Sequence, residues 1–231
     1  MPQVLDTSKA QTSPPNQAEI YYPPGTAEEE IVYPEQREDD MGETSFHYKL
    51  IADLMQMLQM YFREREDIFL TANMNLYYVK GSTNKWFAPD ILAAFGVPNH
   101  DRRVYKLWEE NVFPQVVFEI ASDRTWRNDV DDKLKLYEQL GAEEYYILDS
   151  EHGKYLSAPM LAFHRQEESL LTASVNGDRI FSPRLGLEIV RAENSFRLFN
   201  PNTNEFLRTL EEAESELERL KAEIERLKAQ K

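Results

Sequence analysis

Apolar residues recur at three- and four-residue spacing across residues 46–61, which is the pattern of an amphipathic helix. The set consists of Phe46, Leu50, Ile51, Leu54, Leu58 and Tyr61. Thr44 or Ser45 suits the N-cap position in front of this set. We therefore predict a helix that begins beside Thr44 and ends near Arg65.

Runs rich in β-branched and aromatic residues follow this helix and predict strands. They span residues 68–72, 76–79, 86–95, 116–121 and 144–149. Residues 116–121 are apolar at nearly every position, as expected of a central strand that is covered on both faces. Residues 155–200 predict shorter antiparallel strands, with turns at residues 176–178 and 200–202.

A second helix is predicted between the last two of the longer strands. Asn128 suits its N-cap, the aspartates that follow suit the positive end of the helix dipole, and Gly141 suits its C-terminal stop. A strand, a helix and a strand in this order predict a right-handed crossover between parallel strands. The pattern as a whole indicates an α/β fold with a mixed sheet and extra antiparallel strands.

The two ends of the chain differ from this domain, which we place at residues 41–205. Residues 1–40 contain six prolines and an acidic run, so we predict that most of them form a disordered acidic tail. Residues 31–33 are apolar enough to dock on the domain. The tail and the domain are therefore expected to be distinct parts of the molecule.

Residues 206–231 carry a heptad pattern. Its two seam positions are occupied by Leu210, Ala213, Leu217, Leu220, Ile224 and Leu227. In a parallel pair of such helices, Glu216 would face Lys221 of the other chain, and Glu223 would face Lys228. We predict a homodimer through a coiled-coil helix at residues 206–231. The alternative is a single solvated helix with ion pairs four residues apart.

The composition excludes several classes of protein. No apolar stretch approaches the roughly 20 residues of a membrane span, and the first residues do not resemble a secretory signal, so we expect no membrane association. The absence of cysteine excludes disulfides, thiolate metal sites and cysteine nucleophiles. It suits a reducing compartment, and we expect a cytoplasmic protein.

The net charge of −15 argues against a tight duplex binder, because phosphate binding draws on clustered Lys and Arg. The charge is unevenly distributed, however. Residues 1–45 carry −8, residues 205–231 carry −2, and the remaining −5 belongs to residues 46–204. The central domain is therefore only mildly acidic.

Glu119 is the most informative charged residue, because it lies within the apolar run 116–121. A buried carboxylate loses its hydration, so it needs a cation, a metal ion or hydrogen-bond donors nearby. A salt bridge to Arg124 or Arg127 is one explanation. A metal site is the other, because Asp90 opens a neighbouring predicted strand and two converging carboxylates suit Mg²⁺ or Mn²⁺.

Lys133 is the candidate ammonium group for this site. Helical spacing places it near Tyr137 on the face turned toward the sheet, whereas Lys135 falls among acidic residues on a solvated face. We therefore choose Lys133 over Lys135. An ion pair between Lys133 and Asp129, one turn earlier, is the alternative without chemistry.

Several of these motifs, taken in order, resemble the Uma-two family of restriction-endonuclease-like proteins, which is abundant in cyanobacteria. They are Pro89-Asp90, residues 114–122, Asp129, residues 133–137 and residues 141–149. The resemblance covers roughly residues 41–205 and implies the restriction-endonuclease-like αβββαβ core of the PD-(D/E)XK superfamily. It also implies that Asp90 and Glu119 are metal ligands and that the lysine has moved onto the following helix, since the usual lysine position is Ala121 here.

The resemblance extends to Glu43 and His47, which it implies as possible accessory groups, although a hydrogen-bonded core histidine is the simpler role for His47. Arg124, Trp126 and Arg127 follow Glu119 in a loop. The arginines could meet phosphates there and Trp126 could stack on a base. A tryptophan that merely fills the loop is an equal alternative.

We accordingly expect a Mg²⁺- or Mn²⁺-dependent endonuclease that hydrolyses phosphodiester bonds of nucleic acid, DNA rather than RNA. The ion would be held by Asp90, Glu119 and the backbone carbonyl of Ile120, with Lys133 as the catalytic ammonium. The alternative is a catalytically silent module with a nuclease fold that assembles through its coiled coil. The net charge favours the alternative, and the complete Asp, Glu and Lys set favours the enzyme.

Overall fold

The computed structural model describes residues 33, 44–151, 153–193 and 195–229. Its elements in chain order are α1 (Ser45–Tyr61), β1 (Ile68–Ala72), β2 (Leu76–Tyr77), β3 (Trp86–Phe87), β4 (Ile91–Phe95), β5 (Tyr105–Lys106), α2 (Leu107–Glu110), β6 (Val116–Ile120), α3 (Trp126–Asn128), a π-helical segment (Asp129–Lys133), α4 (Leu134–Leu140), β7 (Glu144–Leu148), β8 (Met160–Gln166), β9 (Ser169–Thr172), β10 (Arg179–Ser182), β11 (Leu187–Ala192), β12 (Ser195–Asn200), β13 (Glu205–Phe206) and α5 (Leu210–Ala229).

Six strands form the central sheet in the order β1-β4-β6-β7-β8-β9. The strands β6 and β7 are parallel, and the other neighbouring pairs are antiparallel. The strands β1, β4, β6 and β7, together with α1 and the helix between β6 and β7, give the predicted αβββαβ order. The sheet is mixed, as predicted. A four-stranded antiparallel sheet, β10 to β13, and a small sheet of β3, β2 and β5 complete the fold.

The central sheet carries an apolar layer on each face. On one face α1 and the four-stranded sheet pack against Phe118 and its neighbours at alternate positions of β6. On the other face the helix after β6 and the small sheet pack against Val117 and Ala121. Because side chains alternate along a strand, Glu119 shares the second face with Val117 and Ala121.

The first helix begins as predicted, since the Thr44 side chain accepts a 3.3 Å hydrogen bond from the backbone N–H of His47. It ends at Tyr61 rather than near Arg65, because the charged residues 63–66 do not continue its apolar stripe. The prediction that Phe46 belongs to that stripe is wrong, because its side chain is 62% exposed. His47 takes the inward position, and adjacent helical residues point about 100° apart.

The run 86–95, predicted as one strand, is two strands in two different sheets. The first ends at Phe87 and the second begins at Ile91. Pro89 lies between them and has no N–H to donate to a sheet. The carbonyls of Pro89 and Asp90 instead accept the backbone N–H of Asn73 at 3.1 and 3.3 Å. The run 76–79 is also shorter than predicted, with β2 ending at Tyr77.

Tyr33 docks on the domain. Its hydroxyl accepts a 2.9 Å hydrogen bond from the backbone N–H of Gly81, and its ring contacts Tyr77 and Trp108 at centroid distances of 4.8 and 5.1 Å. The predictions for the rest of the N-terminal tail and for Glu43 lie outside the described residues. Over the part of the chain that the structure covers, no helix has the length and apolar character to cross a membrane.

Candidate active site

Asp90 and Glu119 lie on neighbouring antiparallel strands of the central sheet. Ile91 pairs with Phe118, so the same antiparallel register places Asp90 opposite Glu119. The Asp90 carboxylate accepts a 2.6 Å hydrogen bond from the backbone N–H of Ile120, and its second oxygen lies 3.3 Å from Nε2 of His47. Asp90 is therefore fixed from the side of β6 and from the side of α1.

The helix after β6 begins at Trp126, before the predicted N-cap Asn128, which lies inside the helix. A turn made by residues 122–125 starts it, because the carbonyl of Ser122 accepts the N–H of Trp126 at 3.1 Å and its hydroxyl pairs with Thr125 at 2.9 Å. The helix ends as predicted at Gly141, whose φ of 100° suits a residue without a side chain.

The π-helical segment Asp129–Lys133 interrupts this helix. In an uninterrupted α-helix, side chains eight residues apart point about 80° away from each other. The wider π turn rotates the chain back, so Asp129, Lys133 and Tyr137 all meet the same cluster. The hydroxyl of Tyr145 donates a 2.9 Å hydrogen bond to the carbonyl of Asp129, which supplies a partner for a backbone group in this turn.

The Lys133 ammonium joins two buried carboxylates. Its Nζ lies 2.8 Å from Oε2 of Glu119 and 2.9 Å from Oδ1 of Asp129. Those two side chains are 2% and 0% exposed, and the side chain of Lys133 is 16% exposed. The sequence left the Lys133–Glu119 contact and the Lys133–Asp129 ion pair as alternatives, and the structure contains both. Lys135 instead pairs with Asp131, and both of those side chains are exposed.

Tyr137 completes the surroundings of Glu119. Its fully buried hydroxyl donates a hydrogen bond to Oε1 of Glu119, while Lys133 contacts the other oxygen. Glu119 thus pairs with Lys133 and Tyr137, rather than with Arg124 or Arg127 as the salt-bridge explanation required.

Negative charge exceeds positive charge in this cluster. Burial raises the pKa of Glu119 above its ordinary value, and the attraction of Lys133 offsets this only in part because Asp90 and Asp129 oppose it. Burial likewise raises the pKa of Asp129. Burial alone would lower the pKa of Lys133, but Glu119 and Asp129 raise it above its ordinary value, so the ammonium stays charged.

The cluster fits a divalent cation in its charge and in its ligand type. Three carboxylates, from Asp90, Glu119 and Asp129, share one ammonium, and carboxylate oxygens are the ligands that Mg²⁺ prefers. Within the described residues no three His, Asp or Glu side chains converge as a complete ligand set. Mg²⁺ is commonly held by one or two carboxylates together with water and substrate phosphate, so a Mg²⁺ site does not require a complete ligand set from the protein.

The other predicted residues lie around this cluster. His47 is buried and contacts Asp90, so it is both a core histidine and a neighbour of the site. Trp126 is half-buried against the apolar layer on the Glu119 face. Arg124 and Arg127 are exposed, and the guanidinium of Arg127 lies 4.5 Å from the centre of the Trp126 ring. The prediction that all three lie in a loop is wrong, because Trp126 and Arg127 belong to α3 and only Arg124 precedes it. The segment has a packed side and a charged, accessible side.

Sequence reasoning missed Asp129 and Tyr137 as members of the cluster. It treated Asp129 as a residue that suits the positive end of the helix dipole and as an alternative partner for Lys133, and Tyr137 as part of an apolar face. The available signal was the spacing of four residues from Asp129 to Lys133 and again to Tyr137. That spacing predicts a contact for each consecutive pair, although in a regular α-helix Asp129 and Tyr137 would point about 80° apart.

The sheet order and the acidic cluster define a restriction-endonuclease-like α/β protein. The profile of the Uma2 family, described as "Putative restriction endonuclease", matches residues 30–194, and the chain belongs to this family. No curated protein matches the sequence. A crystal structure of a "putative nuclease belonging to DUF820" from Anabaena variabilis ATCC 29413 is similar at 10% identity and a TM-score of 0.46, covering 61% of this chain and 73% of that one.

Proposed function

We propose that this protein is a divalent-metal-dependent endonuclease that hydrolyses phosphodiester bonds of nucleic acid. The observation that carries the proposal is the buried Glu119 carboxylate, which lies beside Asp90 and shares the Lys133 ammonium with Asp129. Membership in a family described as restriction endonucleases supports the same activity and makes DNA the favoured substrate. The accessible arginines 124 and 127 offer charges for phosphate groups.

Each residue of the cluster would have a different role in hydrolysis. A Mg²⁺ or Mn²⁺ ion held by Asp90, Glu119 and the carbonyl of Ile120 would polarise the phosphate and make a water molecule more acidic. Lys133 stays protonated, so it serves as a hydrogen-bond donor that stabilises negative charge on the reacting phosphate, and not as a general base. Tyr137 and Asp129 hold Glu119 and Lys133 in place.

The proposal is tested by comparing the cleavage rate of the Glu119→Gln variant with that of the wild type. With Mg²⁺ or Mn²⁺, the wild type should cut plasmid DNA, single-stranded DNA or RNA, and EDTA should abolish cutting. The variant should lose at least about 100-fold in rate, because it removes a charge that the reaction requires. Glu144→Gln is the matched control, since Glu144 is a buried glutamate on the adjacent strand β7, and its variant should keep the wild-type rate. Equal cutting by wild type and Glu119→Gln would refute the assignment.

A silent binding module is the second candidate, and one observation favours it. Lys133 contacts both buried acids, which is also what a structural ion-pair network looks like. In that case the wild type would be inert on every substrate with either metal, and Mg²⁺ would not raise its melting temperature. A metal-dependent rise in melting temperature that Glu119→Gln abolishes would favour the enzyme.

A further inference from the structure

The helix α5 leaves the domain in a defined direction. Thr209 and Glu212 form a capping box at its start, with hydrogen bonds of 3.0 and 3.3 Å between side chain and backbone in both directions. Arg197, on β12, contacts the Glu212 carboxylate at 2.7 Å and the carbonyl of Leu207 at 2.9 Å. The base of the helix is thus attached to the four-stranded sheet, and the helix lies beyond the residues that match the family.

A continuous apolar stripe along α5 is not covered by any of the residues that the structure describes. Its large members are each about half exposed: Leu210 at 47%, Leu217 at 51%, Leu220 at 48%, Ile224 at 51% and Leu227 at 52%. Among its described residues the helix has none that is buried. The spacing of three and four residues repeats every seven, which is the seam of a coiled coil rather than the wider stripe that packs on a globular core.

The charges beside the stripe identify the partner. In a parallel, in-register pair, Glu216 lies opposite Lys221 of the second copy, and Glu223 lies opposite Lys228 of the second copy. In an antiparallel pair, flanking glutamates would face glutamates and flanking lysines would face lysines. Glu216 and Glu223 also hold Arg219 and Arg226 of their own chain at 2.7 Å, which leaves the outer face charged.

We propose that α5 binds a second copy of this chain as a parallel, in-register, two-stranded coiled coil. Both domains then lie at the same end of the coil, because the two helices run in the same direction. This inference is independent of the proposed nuclease activity. It identifies the apolar stripe of α5 as a self-association surface.

The mass of the full chain in solution tests the association. Sedimentation equilibrium should give twice the 27.1 kDa of one chain and a shift toward the monomer on dilution. Leu217→Glu with Ile224→Glu, which places charges on the seam, should give a monomer at all concentrations. Ser215→Glu with Ala222→Glu adds the same charge to the outer face of the same helix and should leave the dimer intact. A wild-type monomer or trimer, or a dimer that survives the seam substitutions, would overturn the proposal.

The direction of the two helices is tested with a single cysteine, since the natural chain has none. Leu227→Cys lies far along the seam, where a parallel dimer brings residue 227 of both copies together. Mild oxidation should therefore convert most of this variant into a disulfide-linked dimer. Ala222→Cys, on the outer face, should stay largely unlinked. A Leu227→Cys variant that is dimeric by mass but does not crosslink would rule out the parallel arrangement.

Discussion

Replacing Lys133 by methionine removes the one ammonium of the buried cluster while it keeps a side chain of similar shape. Glu119 and Asp129 then lose the charge that lies 2.8 and 2.9 Å from their oxygens. Glu119 retains the hydroxyl of Tyr137, whereas the buried Asp129 carboxylate loses the cation that it contacts. Breaking a buried ion pair by removal of one partner costs about 3–5 kcal/mol of folding free energy, and we expect this loss at pH 7.

The cost depends on pH, because the variant can bind a proton instead of burying an uncompensated charge. Burial already raises the pKa of Glu119 to about 8 in the wild type, so Glu119 holds a proton between pH 5 and 7 in both proteins, and the difference between them comes from Asp129. Protonating an aspartic acid with an ordinary pKa of 3.8 costs about 4 kcal/mol at pH 7 and about 2 kcal/mol at pH 5. Loss of Lys133 raises the pKa of Asp129 further, so between pH 5 and 7 the folded variant holds a proton there that the unfolded chain releases. Its stability therefore falls as the pH rises through this range. The destabilisation should be smaller at pH 5 than at pH 7, by at most about 2–3 kcal/mol because the pKa of Asp129 is already raised in the wild type.

Urea unfolding followed by circular dichroism at pH 5, 6 and 7 measures this difference. Lys135→Met is the matched control, because Lys135 lies two residues away in the same helix and its pair with Asp131 is exposed. The control should leave the stability nearly unchanged at each of these pH values, because an exposed ion pair contributes little. A Lys133→Met destabilisation that is equal at pH 5 and pH 7 would refute the reasoning that an unpaired buried charge causes it.

Two further substitutions separate the site from the core. Tyr137→Phe removes the hydroxyl that binds Glu119, so it should lower the free energy of unfolding by about 1–3 kcal/mol and slow cleavage. Urea unfolding measures the first effect and the cleavage assay the second. An unchanged cleavage rate would exclude a positioning role for Tyr137. Ser182→Ala removes a hydroxyl that binds buried Glu144, so it should lower the free energy of unfolding by a similar amount but leave the cleavage rate unchanged. A slower cleavage rate would show that Glu144 and Glu119 are coupled.

The sequence predicts those parts of the fold that depend on local patterning. The strand at Ile68–Ala72 has the predicted bounds, and the apolar run around Glu119 is the central strand β6, because a short β-branched run has few other stable environments. The heptad pattern likewise predicts α5, although the helix begins at Leu210 rather than at residue 206, which belongs to β13. The interruption at Pro89 was also visible, since proline cannot donate to a sheet, but the long run of apolar residues beyond it obscured the break.

The parts that local patterning does not predict are set by the tertiary structure. A helical period of 3.6 residues cannot reveal the π turn at Asp129–Lys133, and without that turn Asp129 and Tyr137 point in different directions. The early start of the same helix depends on hydrogen bonds among residues 122–125. The burial of Asp129 follows from both, which is why the sequence pattern did not predict it.

Two buried glutamates on adjacent strands show why the Glu119 cluster differs from an ordinary core. Glu144 accepts hydrogen bonds from the hydroxyls of Tyr146 and Ser182 and from the backbone N–H of Arg184. These donors satisfy its oxygens and tie the four-stranded sheet to the central one, so its burial is explained by the fold. Glu119 has one hydroxyl and a shared ammonium, and it lies near two other acids that raise its pKa.

Packing of the sheet does not require the charged cluster around Glu119. The neighbours of Glu119 on the same face are Val117 and Ala121, and an apolar residue between them would avoid the cost of burying a charge. Burying three carboxylates near one ammonium costs free energy that apolar packing would avoid, and acids with raised pKa values are enriched at functional sites. The contrast with Glu144 therefore supports a cation-binding role for the Asp90, Glu119 and Asp129 cluster over a purely structural ion pair.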